Sequence, residues 1–231
     1  MTVIEASIDG VFADFASSAT GLIYDYSPVP FSAAPDRFVL PEVIEARGRG
    51  ELLVEDWCGK ALYRADPVQN RAARITRPFY WSYHAGEASE IDCDLIREEV
   101  AEITERLLSW QIGRGVTVPI HLPDGGFATL TAFLAATDGA GLLAEFSLAA
   151  YRVQDRLDSS LPHMRDRCCL SPRETECLSL TAEGLSSKQI AFELQRSESM
   201  VVKHLQSAAS KLGARNRSHA VALAVRQGWL G

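Results

Sequence analysis

The sequence predicts an α+β protein, with an N-terminal α-β-α sandwich built on an antiparallel sheet and a C-terminal all-α domain of helix-turn-helix type. Three observations carry this. Strand-like runs stand near both ends of residues 1–161, with amphipathic helical patterns between and after them. Residues 170–231 instead carry helix caps and stops at close intervals. The charge also divides: from Arg165 onward 10 Lys and Arg stand against 6 Asp and Glu, a net of +4, whereas the preceding residues hold 13 against 24, a net of −11. The expected organisation is a first domain over 1–161, a linker over 162–169 containing Pro162 and mixed charges, and a second domain over 170–231.

In the first domain, Gly21-Leu22-Ile23-Tyr24-Asp25-Tyr26 reads as a strand ended by the breaker Ser27-Pro28-Val29-Pro30, and Arg37 to Leu40 as a second strand. Short helices are expected over Glu51 to Tyr63 and Pro67 to Thr76. A long amphipathic helix follows, because Ile96, Val100, Ile103, Leu107 and Trp110 recur at steps of four and three. Val116 to Leu122 and Phe127 to Leu134 form a strand pair around Pro123-Asp124-Gly125-Gly126. A last helix runs from Leu142 to Leu157, with Leu143, Phe146, Ala150, Val153 and Leu157 on one side.

The second domain opens with Ser171-Pro172-Arg173-Glu174, a capping box with proline at the first helical position. Gly184 ends that helix, and Ser187 or Ser186 begins the next, which carries Ile190, Ala191 and Leu194. Ser197 caps a third helix with Val201, Leu205, Ala208 and Leu212 down one side and Gly213 as its stop. Ser218 is expected to cap a fourth, through Val221, Leu223 and Val225, ending at Gly228. Helix, short turn, helix is the pattern that sets a reading helix in a DNA major groove, and the third helix is the reader. The basic balance agrees, because Lys and Arg displace the counterions of double-stranded DNA, while the acidic first domain repels that polymer.

Five cysteines without a CxxC or His spacing for zinc, and with no signal peptide, point to the reducing cytoplasm and to no metal or cofactor. No apolar run reaches the length of a membrane span. His84 and His121 lack a partnered nucleophile or metal-ligand spacing, so enzymatic chemistry is not expected.

Several stretches carry a family resemblance. Leu170-Ser171-Pro172-Arg173-Glu174, Ala182-Glu183-Gly184-Leu185-Ser186, Lys188-Gln189-Ile190-Ala191, Val201-Val202-Lys203-His204-Leu205 and Lys211-Leu212-Gly213 resemble the LuxR-type DNA-binding domain without a gap. Met200 departs from the family's usual Thr, which touches a phosphate. The resemblance places Lys188, Lys203 and His204 at phosphate-holding positions. On the open side of the third helix, Ser199 and Gln206 suit hydrogen bonds to base edges and Val202 a thymine methyl. One such module binds weakly, so a homodimer on a near-palindromic site is expected.

Upstream, Asp66-Pro67-Val68, then Trp81 within Pro78-Phe79-Tyr80-Trp81-Ser82, and Gly113-Arg114-Gly115-Val116-Thr117-Val118-Pro119-Ile120 resemble the family's signal-binding domain. Its members bind N-acyl homoserine lactones. The resemblance implies that Asp66 accepts the ligand's amide N–H, that Trp81 lies against the lactone ring, and that Thr131 stands near the amide carbonyl or acyl chain. Trp57 and Tyr63 are further aromatic candidates for the pocket, although such residues ordinarily pack a core. Asp66-Pro67-Val68-Gln69 is equally a good helix start, so capping and ligand contact are both open for Asp66. Without gaps, the family's ring-carbonyl Trp falls on Leu53 and its hydrogen-bonding Tyr on Trp57; a gap places Trp57 in the first role and Ala61 in the second, and either way one expected donor is missing. A Trp in the Tyr position resembles the regulators that answer plant-derived compounds. The signal is therefore a lactone or a different small molecule. A NarL-type phosphorylated response regulator is a rival, but Asp25 follows a strand with no neighbouring acid and no parallel-strand series appears.

Overall fold

The computed structural model describes residues 2–28, 41–60, 62, 66–84, 86–91, 98–122, 126–135, 139–162, 169–227 and 229–230. The chain divides into two compact units, the first ending at Leu161 and the second including Pro162–Gly231.

The first unit is an antiparallel sheet of five strands, β1 (Ala19–Ser27), β2 (Val43–Gly48), β3 (Phe79–Ser82), β4 (Arg114–His121) and β5 (Phe127–Leu134). Their spatial order is β2-β1-β5-β4-β3. Period-two alternation gives each strand two faces. Leu22, Tyr24, Tyr26, Val116, Val118, Leu130 and Ala132 point to one side and pack on α1 (Val3–Asp14) and α5 (Gly139–Leu157) through Ile8, Val11, Phe146, Ala150 and Val153. Trp81, Phe127 and Phe133 point to the other, where α2 (Arg49–Gly59), α3 (Pro67–Ala72) and α4 (Glu98–Ser109) add Leu53, Trp57, Val68, Ala72, Ile103 and Leu107. Helices on both faces make the α-β-α sandwich the sequence predicts.

Several elements differ from the sequence reading. The helix α1 was not anticipated, although Thr2 and Glu5 form a full capping box at its start. Nor were β2 and β3. The two short helices are shorter than expected: α2 stops at Gly59, and α3 at Ala72. The strand expected over Arg37 to Leu40 lies outside the described residues, as do Ile96, the turn residues Pro123 to Gly125 and most of the linker.

The second unit holds α6 (Pro172–Ala182), α7 (Ser187–Glu193), α8 (Glu198–Lys211) and α9 (Arg217–Arg226) around Leu178, Ile190, Val201, Leu205, Ala208, Ala220 and Ala224. Ser171 caps α6 and Ser186, not Ser187, caps α7, each in a reciprocal capping box; Ser197 caps α8. Gly184 takes φ 92° in the turn between α6 and α7, a conformation that disfavours any residue with a Cβ. The cap of α9 is Asn216 rather than Ser218: its side chain accepts the His219 N–H at 2.8 Å. The physical reason is Arg217, whose guanidinium reaches back to Thr181 Oγ1 (2.9 Å), the Leu185 carbonyl (2.5 Å) and Ser187 Oγ (3.3 Å) and so fixes the helix start.

Candidate functional site

The sheet face beneath α2, α3 and α4 bounds a cavity. Its apolar walls are Ile23, Ile44, Leu53, Val54, Val68, Leu107 and Phe133, and its polar groups come from Asp25, Trp57, Asp66, Gln69, Trp81, Tyr83 and Thr131. Apolar walls with convergent polar groups are the usual make-up of a small-molecule site.

Asp66 stands at the N-cap of α3, and its two oxygens divide the work. Oδ1 accepts the Val68 N–H at 2.8 Å and lies 3.5 Å from the Tyr83 hydroxyl, while Oδ2 accepts the Trp57 Nε1–H at 3.1 Å. Capping and cavity facing therefore coexist in one side chain, the two roles the sequence left open. Burial pushes its carboxyl up to about 6, against the lowering effect of Val68, Trp57 and Tyr83.

Trp81 is held by a chain of side-chain hydrogen bonds across the sheet. Its Nε1–H donates to Thr117 Oγ1 at 3.0 Å, and Thr117 Oγ1 lies 2.9 Å from Thr131 Oγ1. The indole meets Tyr83 and Phe133 edge-on, with ring centroids 5.6 and 6.1 Å apart. Gly115, the cross-strand partner of Trp81, makes room for it: a Cβ there would sit 2.5 Å from both the indole and the Ala132 carbonyl. Thus Trp57, Asp66, Trp81 and Thr131 all line one cavity, whereas Tyr63 lies outside the described residues.

The sequence reading missed Asp25, Gln69 and Thr117. Asp25 on β1 is buried on the cavity side, where Thr129 Oγ1 donates to it from the facing strand and Gln69 Nε2 donates at 3.2 Å. Burial raises its carboxyl to about 6, the neighbouring Asp66 adding to the effect and the Thr129 and Gln69 bonds opposing it. Its signal was weak because 41 residues separate it from Asp66 in the chain; only the fold brings the two together.

In the second unit, α8 buries Val201, Leu205 and Ala208 and exposes Ser199, Val202, Lys203 and Gln206, with His204 half-buried. Lys188 is exposed in the first turn of α7. All six residues expected at DNA thus have solvent access. Glu174 braces the reader from behind: Ser207 Oγ donates to Oε1 at 2.6 Å and Lys211 Nζ to Oε2 at 2.7 Å, both from α8.

A small-molecule cavity in one unit and a helix-turn-helix in the other define a ligand-binding regulator of transcription. Residues 51–163 match the model of the autoinducer binding domain, and residues 169–224 that of the bacterial regulatory proteins of the luxR family. The transcriptional activator protein BjaR1 of Bradyrhizobium diazoefficiens is 32% identical over 71% of this chain and 66% of its own length. The HTH-type quorum sensing-dependent transcriptional regulator RpaR of Rhodopseudomonas palustris is 31% identical over 82% and 76%. Among solved structures, Escherichia coli SdiA superposes with a TM-score of 0.68 at 21% identity, covering 100% of this chain and 93% of that one, which shows a common fold. The chain belongs to the LuxR family of autoinducer-binding transcriptional regulators, a family of regulators rather than enzymes. The antiparallel sheet also removes the NarL-type receiver, which needs parallel strands.

Proposed function

We propose that this chain is a cytoplasmic, ligand-responsive regulator. It binds an N-acyl homoserine lactone or a related amphiphile in the N-terminal cavity and a near-palindromic promoter site as a homodimer. The observation that carries this reading is Asp66, a carboxyl buried in an apolar cavity with only neutral donors around it among the described residues. A ligand N–H supplies one more donor and covers the cavity, and a ligand that binds only the folded state stabilises it by mass action. In the second unit Lys188, Lys203 and His204 hold phosphates, while Ser199, Val202 and Gln206 read base edges.

A non-lactone signal is favoured by one observation. The Trp57 N–H is engaged by Asp66 and Leu53 offers no donor, so the usual clamp on a lactone ring carbonyl is missing from both positions. Mass spectrometry of small molecules retained by protein from its native host decides between the two. Asp66→Asn keeps a helix cap and removes the charge. It should impair ligand-dependent changes in promoter binding while leaving DNA affinity without ligand intact; an unaltered ligand response would remove Asp66 from the site.

A further inference from the structure

We propose that Asp25 and Gln69 form a second polar subsite in the cavity, one that receives a hydrogen-bond donor on the signal molecule beyond the group facing Asp66. The inference rests on the cavity being the signal site.

Gln69 spends its amide N–H on Asp25, and its carbonyl oxygen Oε1 is buried with no hydrogen-bond partner among the described residues. A buried acceptor left without a donor is destabilising and uncommon in folded proteins. Beside it, the Asp25 carboxylate is gripped by Thr129 from the sheet side. This end of the cavity therefore offers acceptors: a carboxylate and an orphaned carbonyl oxygen. A ligand hydroxyl or amine donates to them, whereas a ketone adds a third acceptor and an alkyl segment leaves the orphan as it was. Placement also fits: Gln69 lies three residues past the Asp66 cap, in the first turn of α3, and both line the same cavity, so the second subsite stands a short acyl segment from the first.

The test titrates the full-length protein calorimetrically with octanoyl, 3-oxooctanoyl and 3-hydroxyoctanoyl chains, each as the homoserine lactone and as the simple N-ethyl amide. The 3-hydroxy form should bind about tenfold more tightly than the 3-oxo form, as a charge-assisted hydrogen bond warrants, with either head group. Asp25→Asn, which can donate to a ketone as well as accept, should bring that ratio near one. Gln69→Leu, which removes the orphan, should lower it too and guards against a folding defect in the first variant. Asp66→Asn should weaken all forms together without changing their ranking. Equal binding of the 3-hydroxy and 3-oxo forms by the wild type, or a preference that survives both substitutions, overturns the subsite. Binding of amides but not lactones, with the ranking kept, removes the lactone reading and leaves the subsite standing. Failure of every probe to bind refutes the subsite and the acyl-amide reading together.

Discussion

Glu174 at the start of α6 and Lys211 at the end of α8 form an ion pair of 2.7 Å, although 37 residues separate them. The same carboxylate accepts from Ser207 and from the Ser171 backbone. One acid thus caps its own helix and fixes the reading helix.

Burial opposes ionisation of Glu174, but Lys211, Ser207 and the Ser171 cap outweigh it and hold the carboxyl at about 2. Its folded pKa lies below the unfolded value, so its stabilisation is present above pH 4.5 and is lost as pH falls towards 2. Glu174→Gln should destabilise the second unit by about 2 kcal/mol at neutral pH. Hydrogen exchange across residues 172–226 would register it, and unchanged protection would contradict this role.

The cavity acids behave oppositely. Asp25 and Asp66 are both raised from 3.8 to about 6, so the fold prefers them protonated; that contribution is full below pH 4 and disappears as pH rises through 6. Asp25→Asn should therefore stabilise the unliganded protein at pH 7.5 by an amount on the order of 2 kcal/mol, read as a higher Tm, and leave the Tm nearly unchanged at pH 3. A variant no more stable than wild type at pH 7.5 would count against a buried charge at this position.

Gly115→Ala drives a methyl into the Trp81 ring and the Ala132 carbonyl. Overpacking of this kind costs about 1–3 kcal/mol. Thermal unfolding should show the loss, together with a change in the near-ultraviolet circular dichroism of the displaced indole. An unperturbed indole signal would mean that β4 shifts instead.

Lys203→Ala should weaken binding to every DNA sequence alike and lower the salt slope by about one unit. A loss confined to one base position in a binding-site selection would instead make Lys203 a base reader.

The second unit was the more legible, because its signals are local. Ser171 with Glu174 and Ser186 with Gln189 announce two helices within four residues each. The one misplaced cap arose where Asn216 and Ser218 both qualify by type; Arg217, bound to three groups of the α6–α7 turn region, decides between them. In the first unit, β2 escaped notice because Glu45 and Arg47 give an edge strand a polar look, and Arg47 is paired with Asp9 of α1 and with Glu45 itself. Asp66 and Trp81 could be named from their motif, but their partners could not. Thr117 and Thr131 meet through the β4–β5 register, and Asp25 reaches Gln69 through the packing of α3 over β1. Such relations exist only once the strands have paired.

Because one oxygen of Asp66 holds the first turn of α3 and the other holds the Trp57 indole, this position answers to two masters. Any replacement without a side-chain acceptor also loosens a helix end and frees an aromatic ring. Breadth of response among engineered descendants should accordingly be sought at the neighbouring Leu53, an apolar wall residue with no side-chain hydrogen bond to give up, with Asp66 left as the fixed point around which it changes.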